Sequence, residues 1–182
     1  MLPPGHIAAG FLTAYGVLHF TQPAFAAGDM NTLLVSGAVL GALPDIDILP
    51  FFRRQATLYF NGSDTHRRYI THAPLPWLIL GLIIAYAASN PFLRALGILL
   101  WLAPWSHFLC DSIEFGVRWL WPFSHRYFSI TDYPKHNCEA ERSLRRHYWC
   151  IIRTYAGKSR AFPLEVMLIL AALVVISSLV LS

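Results

Sequence analysis

The chain has 182 residues, of which 55% are hydrophobic and 13% are charged, and its formal net charge is +4. A soluble domain carries about 25% charged residues, whereas the mean hydropathy here is positive, at +0.46. These values argue against a disordered chain, a basic nucleic-acid-binding domain and a typical soluble enzyme. They predict an integral membrane protein, and together with the apolar segments described next they lead us to expect an all-α integral membrane helical bundle.

Five segments are long and apolar enough to form membrane-spanning helices, which need about 20 residues each. In chain order they are residues 7–27, 31–52, 73–93, 95–110 and 162–181. Buried core helices or re-entrant segments are the alternative for the shorter ones. The start of the chain lacks the basic region and cleavage site of a signal peptide, so we expect the first segment to be retained.

Basic residues are concentrated in two connections between these segments. Of the 14 lysines and arginines, 13 lie in residues 51–71 and 111–161, and Arg94 is the exception. Short loops rich in lysine and arginine stay in the cytoplasm, and five crossings place both connections on one side. We therefore predict a multi-pass membrane protein with its N-terminus inside and its C-terminus outside.

The whole chain, residues 1–182, is predicted to be one membrane domain. Its parts are a four-span core (1–111), a cytoplasmic interfacial segment (112–161) and a C-terminal span (162–182). The interfacial segment is rich in aromatic and basic residues, which suits contact with anionic lipid headgroups, and we expect one or two interfacial helices with loops. RNA binding is the alternative, but no nucleic-acid-binding pattern accompanies these residues, so no nucleic-acid partner is expected. The oligomeric state does not follow from the sequence.

Three cysteines lie at or beyond the predicted cytoplasmic boundary, namely Cys110, Cys138 and Cys150. That compartment is reducing, so disulfides are not expected, and the spacing matches no CxxC metal motif. We predict that Cys110 packs in the protein interior and that Cys138 and Cys150 are free thiols.

Ionisable residues beside spans are costly and tend to mark function. His6 stands at the start of the first segment, where a capping or interfacial role is the plainer interpretation. Asp45 and Asp47 follow Pro44 at the end of the second segment. An extended backbone here would point both carboxylates the same way, towards a cation; solvated carboxylates at a helix end are the alternative.

The other ionisable groups flank the third and fourth segments. His66 and His72 enclose Arg67 and Arg68, a pattern suited to a metal or a phosphate and alternatively to anionic lipid. His107 and Asp111 share one helical face at spacing i, i+4, as metal ligands or as a hydrogen-bonded pair, and Glu114 follows near that face. By contrast, His19 falls at the opposite membrane face, where we expect a structural role.

Taken together, the imidazoles and carboxylates meet at the predicted cytoplasmic ends of four spans. The predicted metal ligands are His6, Asp45, Asp47, His66, His72, His107 and Asp111. A set with nitrogen and oxygen donors but no thiolate suits zinc, and alternatively manganese or iron. Seven such ligands are enough for two or more ions, which activate water and polarise phosphoryl or carbonyl oxygens.

The motifs resemble those of the YdjM-type, LexA-regulated, membrane-bound metal-dependent hydrolases. The matching pieces run from residue 5 to about residue 126: Gly5-His6 with Gly10, Gly41 to Asp47, His66-Arg67, Thr71-His72-Ala73, Ser106-His107, Asp111, Gly116 and Trp121 to Ser124. The layout is more distantly similar to that of zinc-dependent phospholipase C. The resemblance implies a small helical bundle in a prokaryotic inner membrane, with metal-dependent hydrolase activity. Residues 112–115 depart from the family pattern, and residues 126–160 lie outside the resemblance.

We therefore expect a membrane-embedded hydrolase that acts on a phosphoester of a membrane lipid at the cytoplasmic leaflet. Asp47 or Glu114 would accept the proton of the attacking water, and Arg67 would neutralise phosphoryl charge. Arg67, Arg68 and Arg126 would bind substrate. The alternative is a non-catalytic membrane protein that binds metal or anionic lipid. A transporter is the third hypothesis, but it predicts charges near mid-span, where this chain has none.

Overall fold

The structure is a computed structural model that describes residues 1–21, 25–55, 66–134, 138 and 143–181. Its α-helices are α1 (Pro3–Thr21), α2 (Ala27–Ala42), α3 (Ile48–Gln55), α4 (Pro74–Ala87), α5 (Pro91–Asp111), α6 (Leu144–Lys158) and α7 (Ala161–Leu181). Short 3₁₀ turns cover Leu43–Asp47, His66–Arg68 and Ile70–His72. The only β feature in the described ranges is one isolated bridge between Val117 and Phe128. The predicted all-α class is confirmed.

Three described helical segments are long and apolar enough to cross a membrane: Ala27–Pro50, Pro91–Asp111 and Ala161–Leu181. The first joins α2 through the 3₁₀ turn to the start of α3. Helix α4 is apolar but has 14 residues, which is about 21 Å against a hydrocarbon core of about 30 Å. The membrane bundle is therefore supported, whereas the count of about five spans is not confirmed and stays a prediction.

The predicted boundary between the third and fourth spans, near residue 94, was wrong. Helix α4 ends at Ala87, and Asn90 caps α5 by accepting a hydrogen bond from the backbone N–H of Phe92 at 2.8 Å. Pro91 then occupies the first turn of α5, where its missing N–H costs nothing. A count of apolar residues does not detect so short a break.

Close helix contacts bring the polar ends of the bundle together. A Cβ atom added at Gly10 of α1 would lie 2.2 Å from the carbonyl oxygen of Gly37 in α2, so the two backbones touch there. Helices α1, α2 and α5 share a core that includes Leu18, Leu33 and Leu99. As a result, the first turn of α1 lies beside the last turns of α2 and α5.

Residues 112–161 contain one α-helix in the described part, α6, and this helix packs on the same end of the bundle. The Tyr155 hydroxyl of α6 donates a hydrogen bond to Glu165, near the start of α7. Burial and this hydrogen bond raise the pKa of Tyr155. The Glu165 carboxylate also accepts from the backbone N–H of Leu2 at 3.2 Å. These contacts tie α6 and α7 to the start of α1.

The prediction that Cys138 and Cys150 are free thiols was wrong, because they form a disulfide. The prediction relied on the reducing compartment that the basic residues indicate. The fold brings the two Cα atoms to 5.7 Å, within the usual range for a disulfide. Cys110 is free and buried, as predicted.

Candidate metal centre

Five ionisable side chains meet at one end of the bundle. His6 comes from α1, Asp45 from the turn after α2, His72 from the turn before α4, and His107 and Asp111 from the end of α5. All are buried except the Asp45 side chain, which is 18% exposed. The structure therefore brings together side chains that are up to 105 positions apart in the sequence.

The two aspartates after Pro44 do not point the same way. Residues Leu43–Asp47 form a 3₁₀ turn instead of the expected extended strand, and three residues complete each turn of such a helix. Asp45 Oδ1 faces the Nε2 atoms of His72 and His107, at 3.7 Å from each. Asp47 Oδ2 instead lies 2.7 Å from Nδ1 of His72, at the opposite side of that ring.

The hydrogen bonds of both histidines fix which nitrogen faces the cluster. Nδ1 of His107 lies 2.9 Å from the carbonyl oxygen of Gly41. A carbonyl only accepts, so Nδ1 carries the proton and Nε2 of the neutral ring presents a lone pair. The Asp47 carboxylate orients the His72 ring in the same way. Metal-binding histidines are commonly held by such acceptors.

The two lone pairs face one another. Nε2 of His72 and Nε2 of His107 are 3.3 Å apart, and Asp111 Oδ2 lies 3.9 and 3.8 Å from them. Donor atoms around a tetrahedral zinc ion, at 2.0–2.1 Å from the metal, would be about 3.3–3.4 Å apart. Two lone pairs and two carboxylate oxygens at such distances repel one another unless a cation or a proton lies among them.

The pKa of His72 is consistent with this need for positive charge. Burial lowers the pKa of the imidazole, but the nearby Asp111 and Asp47 carboxylates outweigh burial and raise it above its usual value. In the absence of a metal ion, a proton on Nε2 thus relieves the repulsion. The same nitrogen is the one that would bind a metal.

Asp111 is surrounded by positively charged or hydrogen-bonding groups. Its Oδ1 lies 2.5 Å from the amino nitrogen of Met1 and 3.2 Å from Nε2 of His6. Its Oδ2 accepts a hydrogen bond from Nε of Arg67 at 3.0 Å. The His6 ring stacks on His107 with centroids 3.6 Å apart. Two groups of possible metal ligands have donor atoms within 4.8 Å of one another, namely Asp45, His72 and His107, and His6, His107 and Asp111.

The structure describes the contacts or exposure of most of the remaining predicted site residues. The Glu114 carboxylate accepts hydrogen bonds from the Ser159 hydroxyl and the Arg160 backbone N–H, both at 2.5 Å, where α7 begins. The Arg67 guanidinium lies over the Phe115 ring, 4.5 Å from its centroid. Arg68 and Arg126 are exposed, and the His66 side chain lies outside the described part of the structure.

Sequence reasoning missed Arg118, which holds the loop before His72. This buried arginine donates hydrogen bonds to the carbonyl oxygens of Arg68 and of Tyr69. Thr71 Oγ1 donates to Asp47 at 3.0 Å and strengthens the same link. In the sequence Arg118 is one arginine of a basic stretch, and no local pattern distinguishes it from its neighbours.

Comparisons with known proteins agree with a membrane protein. No curated protein matches the chain, and no solved structure does. Residues 1–181 match the family described as YdjM inner membrane protein, which is the family that the motifs around His6, Asp45, His72 and His107 resemble. The match covers essentially the whole chain, and the chain belongs to the YdjM inner membrane protein family.

Proposed function

We propose that this protein is a metal-dependent hydrolase that cleaves a phosphoester of a membrane lipid. The observation that carries the proposal is the pair of imidazole Nε2 atoms of His72 and His107. They are 3.3 Å apart, and each ring is held by an oxygen acceptor on its other nitrogen. Two histidines and nearby carboxylates are a common ligand set for hydrolytic zinc.

The geometry favours one ion instead of the two or more expected from the sequence. Both candidate groups contain His107, and Nδ1 of that ring is already bonded to Gly41. We assign the ion to three buried donors, which are Nε2 of His72, Nε2 of His107 and Oδ2 of Asp111. Zinc suits this set best, and manganese or iron are the alternatives.

The surrounding residues then have distinct roles. When bound, such an ion activates water and polarises a phosphoryl oxygen. Asp45 Oδ1 faces both Nε2 atoms, and Asp45 is more accessible to solvent than Asp111, so we assign it as the acceptor of the proton from water. Asp47 contacts Nδ1 of His72, which favours an orienting role over the proton-accepting role expected from the sequence. Glu114 is likewise assigned a structural role, because its carboxylate accepts hydrogen bonds from Ser159 and Arg160 just before α7.

Arg67 is the best-placed anion-binding group. Its side chain is 14% exposed and pairs with Asp111, so its guanidinium is held at the edge of the cluster. A guanidinium there can bind phosphate oxygens and stabilise the charge that develops on them. The exposed Arg68 and Arg126 would add attraction for anionic lipids from farther out.

The position in the bundle supports a lipid substrate. Asp111 is the last residue of α5, a helix long and apolar enough to span a membrane. We therefore infer that the cluster lies near the depth of lipid headgroups, where a lipid phosphoester would reach it by lateral diffusion. The cytoplasmic leaflet is the side that the basic residues favour.

A second function is favoured by a specific observation, namely that Asp45 is as close to the histidines as Asp111 is. If both carboxylates bound the ion, four protein ligands would close the shell, as in structural zinc sites. The protein would then bind metal without catalysis. Asp45→Asn distinguishes the two functions, since a proton acceptor is not needed to hold the metal.

The test uses metal-loaded protein in lipid–detergent micelles, with phosphodiester and phosphomonoester lipids as substrates. We expect Asp45→Asn to retain the metal and to lose about 10²–10⁴-fold in kcat. His107→Ala should lose both metal and activity, whereas His19→Ala at the other end of α1 should lose neither. Metal-loaded wild type that hydrolyses no ester would overturn the hydrolase proposal, and loss of metal in Asp45→Asn would favour the closed shell.

A further inference from the structure

A loop after α5, residues 117–130, is joined by backbone hydrogen bonds to the end of that helix. Val117 and Phe128 exchange both backbone hydrogen bonds, each at 2.9 Å. The backbone N–H of Ile130 donates to the carbonyl oxygen of Ser112 at 2.7 Å, directly after the end of α5. The position of this 117–130 loop therefore follows from the position of α5.

The 117–130 loop exposes several large apolar side chains. Val117 and Arg118 turn inward and are buried. The exposed fractions of the large apolar side chains are 68% for Leu120, 89% for Phe123, 57% for Phe128 and 68% for Ile130. Grouped apolar exposure on this scale marks a surface that contacts a partner or a membrane.

The loop also folds back along α5 towards the middle of the helix. The Trp119 ring contacts the Trp105 ring, with centroids 5.5 Å apart, and its Nε1 donates to Ser112 Oγ at 2.8 Å. Trp105 lies six residues before the end of α5, which is about 9 Å along the axis. Because α5 is a candidate span, we expect Trp119 to lie inside the bilayer boundary.

The charge of the 117–130 loop indicates what kind of partner its exposed side contacts. Residues 117–130 contain two arginines and one histidine but no aspartate or glutamate. Arg126 is exposed and can pair with lipid phosphates while the aromatic rings occupy the headgroup boundary. A water-soluble partner would not explain why the loop folds back beside a spanning helix.

We propose that the 117–130 loop is inserted into the boundary between lipid headgroups and acyl chains, beside the candidate metal centre. Phe123 and Leu120 enter the apolar side of that boundary, and Arg126 remains among the phosphates. The proposal rests on the membrane location of the chain and not on hydrolysis. Failure of one proposal therefore leaves the other intact.

The test measures the depth of Phe123 by spin labelling in nanodiscs that contain one chain each. A nitroxide is attached to Phe123→Cys in a background of Cys138→Ser and Cys150→Ser, since Cys110 is buried. We expect dissolved oxygen, which concentrates in lipid, to relax the label more than a water-soluble nickel chelate does. Val174→Cys, which is 69% exposed on the candidate span α7, provides the lipid-facing reference.

Two results would overturn the proposal. If the nickel chelate relaxes the label at position 123 more than oxygen does, the loop projects into water. A parallel measurement uses discs that hold two chains. If the label is protected from the nickel chelate only in those discs, the surface is an interface with a second copy. The measurement needs no metal and no substrate.

Discussion

Nε2 of His72 lies 3.3 Å from Nε2 of His107, and the Nδ1 atoms of both rings face oxygen acceptors. This relationship joins residues from a 3₁₀ turn and from the last turns of a long helix. Both imidazole rings are already oriented by these hydrogen bonds without a bound ion, which lowers the entropic cost of binding one. The predictions below concern this pair and the contacts that hold it.

The contact between Asp47 and His72 should set metal affinity without being essential for binding. Asp47→Asn removes the negative charge beside Nδ1 of His72, which weakens both the basicity and the orientation of the ring. We expect metal affinity to fall about 10- to 100-fold, as measured by competitive titration with a chromogenic chelator. Asp29→Asn is the matched control, because Asp29 is exposed in the first turn of α2. Equal affinities of the two variants would contradict the orienting role.

Metal binding should weaken in acid because a proton competes for His72. The pKa of His72 is raised above 6.5 by nearby carboxylates that outweigh burial, so the metal-free protein keeps this proton at neutral pH more readily than an exposed histidine does. The proton stabilises the metal-free fold at low pH, and that contribution is lost as pH rises through the raised pKa. Zinc affinity should therefore rise with pH, by about tenfold per unit below that pKa for one displaced proton. Zinc titrations from acid to mildly alkaline pH measure this, and a flat profile would count against His72 as a ligand.

Much of the site could be predicted from the sequence, because polar residues beside apolar segments are few. The i, i+4 spacing of His107 and Asp111 and the break at Pro44 indicate helix ends, and helix ends lie at membrane boundaries. The different roles of Asp45 and Asp47 could not be predicted. They depend on the 3₁₀ turn and on a histidine 25 positions away from Asp47. The role of Glu114 could not be predicted either, since its partners Ser159 and Arg160 lie about 45 positions away in the sequence, at the junction of α6 and α7.

The glycine contact between α1 and α2 should be needed for stability. A Cβ at Gly10 would lie 2.2 Å from the Gly37 carbonyl oxygen, whereas one at Gly16 of the same helix meets nothing within 4 Å. Gly10→Ala should therefore destabilise the fold by about 1–3 kcal/mol through overpacking. Gly16→Ala should be neutral, or stabilising by up to about 1 kcal/mol. Thermal unfolding in detergent compares them, and equal melting temperatures would contradict the close approach.

The fold was predictable at the level of class and less so in its spans. Apolar runs identify membrane helices because insertion depends on summed hydropathy. The turn between α4 and α5 depends instead on Asn90 and Pro91, whose local chemistry a hydropathy count does not include.

The pairing of Cys138 with Cys150 predicts how many cysteines of the protein are free thiols in cells. Alkylation of acid-quenched, denatured but unreduced protein should label one cysteine, Cys110, and reduction should raise the number to three. Disulfides are typical of oxidising compartments, whereas the basic residues favour the cytoplasm for the same end of the bundle. Three labelled cysteines before reduction would contradict the pairing and agree with the cytoplasmic assignment.

The most direct test of the candidate metal centre is the zinc content of purified protein after supplementation and removal of excess metal. The contacts of His72, His107 and Asp111 predict one zinc ion per chain in the wild type. They also predict loss of that ion in a folded His107→Ala variant and its retention in His19→Ala. A folded wild type without bound metal, or equal zinc in His107→Ala and His19→Ala, would contradict the account.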